Sequence, residues 1–84
     1  MNVAVQFPQT HDPAHQAAAA HKQDMEEIIR ELAGYAGAAD AKAMAQEISL
    51  VMEGAYVTRQ VTANPSTSDI ARRLVQMIVD RHLA

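Results

Sequence analysis

Between positions 40 and 61 the apolar residues fall into two stripes where one would be enough. On a helical projection of about 100° per residue, Met44, Ile48, Val51 and Ala55 form the first stripe, flanked by Met52. Leu50, Gly54, Val57 and Val61 form the second. Lys42, Gln46, Ser49, Glu53 and Gln60 are left to a narrow polar band. A surface helix needs a single apolar stripe to sit on its own core. The second stripe therefore predicts a second partner, and in a chain with so few helices another copy of itself is the first candidate.

The segments on either side are also helical by pattern. Asp12-Pro13 supplies a capping oxygen and a proline suited to the first helical position. From there Ala14, Ala17, Ala18, His21, Met25, Ile28, Ile29, Leu32, Tyr35 and Ala36 share one face. Gln23, Asp24, Glu26, Glu27, Arg30 and Glu31 share the other, with Lys22–Glu26 and Glu26–Arg30 spaced for pairing. Gly37 predicts a left-handed stop, with Gly34 as an earlier alternative end. Asp40 caps the central helix, and Asn64-Pro65 ends it because proline disfavours helical geometry at the residue before it. Ser66 and Asp69 approximate a capping box for a last helix. Its apolar face is Ile70, Ala71, Leu74, Val75, Met77 and Ile78, and its wet face Arg72, Arg73, Gln76 and Asp80. Asp69 is spaced to pair with Arg73. Arg81 and His82 suit the negative end of the helix dipole.

The expected fold is all-α: one domain with helices over 12–36, 40–62 and 66–82, antiparallel and joined by short turns, behind an N-terminal arm at 1–11. In the arm, Asn2 to Phe7 alternates like a short strand and equally reads as a helical turn ended by Pro8. Phe7, its one bulky side chain, is expected to pin the arm to the body.

Composition sharpens the demand for a partner. A domain of 84 residues buries only about 60–65% of its unfolded surface, and with no cysteine it has no disulfide to add stability. Oligomerisation is the remaining common route. A net charge of −3 and scattered basic residues argue against nucleic-acid binding by this chain alone, since such affinity needs clustered Lys and Arg. The first twenty residues hold no Lys or Arg, and no apolar run approaches the roughly 18 residues of a membrane span. The expectation is a cytoplasmic protein with no membrane partner.

Reactive chemistry is sparse. Ser49, Ser66 and Ser68 lack a neighbouring base pattern and no glycine-rich phosphate loop is present, so no enzyme, catalytic residue or cofactor is expected. His11 and His15 have a four-residue spacing, but His11 precedes the helix cap and a structural zinc normally takes four ligands; no metal site is expected. His21 reads as a boundary histidine or a pocket-lining one. Met25, Met44, Met52 and Met77 read as plain core or as an adaptable lining. Glu47, Thr58 and Arg59 interrupt the apolar arc of the central helix; they read as rim positions, ligand contacts or hydrogen bonds between subunits. Gly54 is either a tolerated glycine or the point where two helix backbones approach closely.

An FP turn, a His-Asp-Pro start, an Ala-rich helix containing AHK, the phrase ELAGYAGAAD, the helix centre LVMEGAYV, then VTANP and a final amphipathic helix together resemble the C-terminal regulatory domain of TetR-family transcriptional repressors. The resemblance spans nearly the whole chain. It implies that the last two helices pair with their copies in a second subunit as a four-helix bundle, through Leu50, Gly54, Val57 and Val61 on one helix and Ile70, Leu74 and Met77 on the other. It also implies a small hydrophobic ligand in the intact protein, faced here by His21, Met25, Met52 and Tyr56. The family's DNA-binding helix-turn-helix is absent from these residues, so the chain looks like the last third of a repressor and is not expected to bind operator DNA alone. The alternative from another class is a stand-alone helical module whose second stripe receives a helix of a different protein.

Overall fold

Asp12 opens the first helix as its side-chain oxygen accepts the Ala14 N–H at 2.8 Å, with Pro13 in the first turn. The computed structural model describes residues 12–84; the arm at 1–11, with Phe7 and His11, lies outside the described residues. Helix α1 (Pro13–Tyr35) runs through Gly34 and stops beyond it. Gly37 takes a φ of 95°, the Ala38 N–H reaches the Ala33 carbonyl at 3.0 Å and the Gly37 N–H reaches that of Gly34 at 3.1 Å. This paired-bond ending satisfies carbonyls that the helix terminus would otherwise leave open.

Helix α2 (Ala41–Thr62) starts on Asp40, whose side chain accepts the Ala43 N–H. It ends one residue before the expected Asn64-Pro65 break, at Ala63, which takes the left-handed conformation with φ 53°. Asn64 instead prepares the next helix, its side-chain oxygen accepting the Ser66 N–H at 2.9 Å. Helix α3 (Thr67–Leu83) therefore begins without the expected capping box. Ser66 has helical backbone angles and makes no side-chain cap, and its N–H, which Asp69 would accept in a capping box, is held by Asn64 instead. Asp69 pairs with Arg72 at 2.9 Å, one position short of the expected Arg73.

α1 and α3 both pack on α2 and not on each other. The result is a slab, 43 × 31 × 16 Å between Cα extremes, with α2 in the middle. Ala33 of α1 and Met44 and Ile48 of α2 form the buried cluster, with Ile29, Ala38, Ala41, Val75, Ile78 and Val79 against it. Ala45 is also fully covered. The core thus lies where the C-terminal halves of α1 and α3 meet the N-terminal half of α2. Residues 56–62 at the other end of α2 are all exposed.

Two sequence expectations are corrected here. Ser49, assigned to the polar band, is buried, because its side of α2 faces α1, where it shares a groove with Ala18, Met25 and Ile29. On α1, Ala33 and Ile29 face α2, while Ile28, Leu32 and Tyr35 of the expected core face are exposed. The small Ala33 permits close helix approach, which turns the bulkier side chains aside.

Candidate functional site

Two uncovered apolar regions lie on the slab. The first runs along α2 and α3. Leu50 and Gly54 of α2 and Ile70 and Leu74 of α3 line one shallow groove of about 310 Å³, together with Val51, Ala55, Thr58, Asn64, Thr67 and Ala71. Helical periodicity continues the α2 side through Val57 and Val61, and the α3 side through Met77. Leu50 is 68% exposed, Val61 79% and Met77 66%. The structure thus leaves uncovered, along one groove and its flanks, the seven residues expected at a subunit interface. Sequence reading did not single out Asn64 and Thr67 for the groove; Thr58 reads there as a rim position, a ligand contact or a hydrogen bond between subunits, and Ala71 lies on the apolar face of its helix.

Among the described residues no charged side chain lines this groove. Glu47, Arg81 and Arg59 of these two helices are engaged within the chain. Glu47 lies 2.8 Å from His82 Nε2 and also pairs with Arg81. The His82 hydrogen bond, aided by the Arg81 charge, holds the Glu47 carboxyl below its ordinary value. Arg59 donates to Ser68 Oγ at 3.1 Å. Both contacts tie α2 to α3, so Glu47 and Arg59, which the sequence left open to bridging two subunits, are engaged inside one.

Gly54 sits in mid-helix, where glycine costs about 1 kcal/mol relative to alanine. Among the described residues nothing lies within 4 Å of where its Cβ would be, and its φ is not positive. Neither backbone geometry nor packing among those residues explains it. Gly34 has the same open surroundings, but it belongs to the last turn of α1, where its carbonyl accepts the Gly37 N–H.

The second region lies between α1 and α2. His21, Met25, Met52 and Tyr56, expected to face a ligand, line one open groove of about 570 Å³ with Ala18, Lys22, Ile29, Ser49 and Glu53. Lys22 reaches Glu53 at 2.6 Å, which raises the Lys22 pKa through that hydrogen bond and charge. The sequence suggested Glu26 as the partner of Lys22; a contact spanning two helices has no local spacing that reveals it. Within α1, Arg30 pairs with Glu27, three positions back, and not with Glu26. Ser49 Oγ is buried at the groove with no hydrogen-bond partner among the described residues, a cost that burial imposes on an unpaired hydroxyl. The volume is within the usual range for small-molecule sites, with an apolar floor and a few polar groups.

Among the described residues no three His, Asp or Glu side chains gather into a metal-sized cluster, and no helix is long and apolar enough to cross a membrane. No family model, curated protein or solved structure matches the chain.

Proposed function

We propose that this chain is a homodimerisation domain, and that it corresponds to the dimerising, ligand-responsive C-terminal part of a TetR-like transcriptional regulator of the cytoplasm. The observation that carries the reading is the α2–α3 groove, which has no charged side chain in its lining among the described residues, with Leu50, Val57, Val61, Ile70, Leu74 and Met77 all exposed on these two helices. Large apolar patches of this kind on a small domain mark interaction sites. Identical copies of a chain with net charge −3 repel one another over most of their surface, and a groove without charged lining is where they meet at least electrostatic cost. Two copies joined through α2 and α3 form a four-helix bundle, which supplies the core that the slab lacks.

The α1–α2 groove supports the second half of the reading. A two-fold pairing through α2 and α3 leaves His21, Met25, Met52 and Tyr56 free for a small hydrophobic ligand in the intact protein. Ligand binding there bears on α2, which belongs to both sites, so effector and dimer geometry are coupled through one helix.

The test joins this chain to a DNA-binding head that grips its operator only as a pair. The fusion is expected to repress a reporter, and Val57→Glu in the same fusion to relieve repression at equal protein level. A fusion that is stably expressed but never represses contradicts the proposal.

A further inference from the structure

We infer that the ligand of the α1–α2 groove is an uncharged molecule with an apolar body and one hydroxyl or carbonyl group, and that the Ser49 hydroxyl receives that group at the groove's inner end. The inference rests on the reading of this groove as a small-molecule site and adds to it the chemistry of the occupant. Lys22 meets Glu53, and Ala33 packs with Met44, so α1 and α2 run in opposite directions. Ser49 lies one turn from Glu53 on the side of the core, which puts it further in than the ion pair. It is 8% exposed and lines the groove, and its Oγ has no hydrogen-bond partner among the described residues. Such a hydroxyl has given up water without gaining a protein partner, and a ligand group that reaches it restores the missing bond. Met25 and Met52 border the same space and are 39% and 47% exposed. Their unbranched, adaptable side chains repack around a molecule that enters and give it an apolar bed.

The groove also selects on charge. Its lining among the described residues holds one lysine and one acid, Lys22 and Glu53, and each neutralises the other at 2.6 Å. An anion has to take Lys22 from Glu53 and a cation the reverse, whereas a neutral molecule leaves the pair intact. An apolar lining with a single unpaired polar group at one end fixes which way round such a ligand lies.

Benzyl alcohol, toluene and benzoate separate these demands, since they share a ring and differ in the polar group. Each is titrated against the native chain, Ser49→Ala and Glu53→Gln, with melting curves to establish folding and the methyl resonances of Met25 and Met52 to locate binding. Ser49→Ala is expected to weaken benzyl alcohol about five-fold and to leave toluene unchanged; Ser49→Cys, which keeps the volume and weakens the hydrogen bond, gives the same direction if the alanine variant does not fold. Benzoate is expected to bind the native chain weakest of the three, and Glu53→Gln to strengthen it at least five-fold by leaving Lys22 without its counter-ion. Equal effects of Ser49→Ala on benzyl alcohol and toluene, or benzoate binding the native chain as tightly as benzyl alcohol, overturn the inference while leaving the groove a small-molecule site. Methyl resonances that respond to none of the three overturn both.

Discussion

Glu47 of α2 and His82 of α3 stand 2.8 Å apart across 35 positions of sequence, and with Arg81 they fasten the end of α3 to the helix on which the slab is built. The carboxyl of Glu47 titrates below its ordinary value of 4.5. The unfolded chain therefore takes up a proton at this site before the folded chain does. The stability it contributes is present above the ordinary value and is lost as pH falls through the folded-state value. Below about pH 5 the melting temperature of the native chain should fall more steeply than that of Glu47→Gln at the same protein concentration. Parallel acid limbs in the two proteins would contradict the pairing.

Ser49 offers a test of the corrected packing. Its hydroxyl is buried without a partner among the described residues, and removing an unsatisfied buried group is neutral or stabilising, by up to about 1 kcal/mol. Urea unfolding of Ser49→Ala should show no loss. A clear loss would mean that the hydroxyl has a partner. Ser49→Glu, by contrast, forces a charge between α1 and α2 and should unfold the chain.

At Ala63 the chain holds a non-glycine residue at φ 53°, a conformation costing roughly 1–2 kcal/mol for an L side chain. Ala63→Gly relieves that strain and gives back part of it as freedom of the unfolded chain. The net expectation in urea unfolding is a gain of about 1 kcal/mol. No change, or a loss, would contradict the backbone geometry at the α2 stop.

Ile48 lies in the small buried cluster with Ala33 and Met44. With so few residues to share the loss, Ile48→Ala should cost about 2–5 kcal/mol and abolish cooperative melting. A mild effect would place the core elsewhere.

The three helices were legible because each carries its own start and stop. Asp12-Pro13, Asp40 and Gly37 act within a few residues of themselves, and local chemistry is what a sequence displays. The side of each helix that meets its neighbour was less so. An apolar arc such as that of α1 is wider than one contact can cover, and the choice of Ala33 and Ile29 over Leu32 and Tyr35 is made by how closely α2 can approach. The burial of Ser49 was hidden for the same reason: a polar residue in a band of polar residues shows nothing of a helix packed against it. His21, Met25, Met52 and Tyr56 line one groove; helical periodicity put His21 and Met25 on one face of α1, while the set of four followed from the family resemblance. The partners Glu53 and His82 were not legible, since each lies on a different helix from the residue it pairs with.

The most direct test is sedimentation equilibrium of the chain at micromolar concentration, beside Val57→Glu and the remote control Gln23→Glu. The native chain and Gln23→Glu should sediment at twice 9.1 kDa, and Val57→Glu at the single-chain mass with its helices retained. A native chain that is folded, cooperative in melting and monomeric would contradict the account.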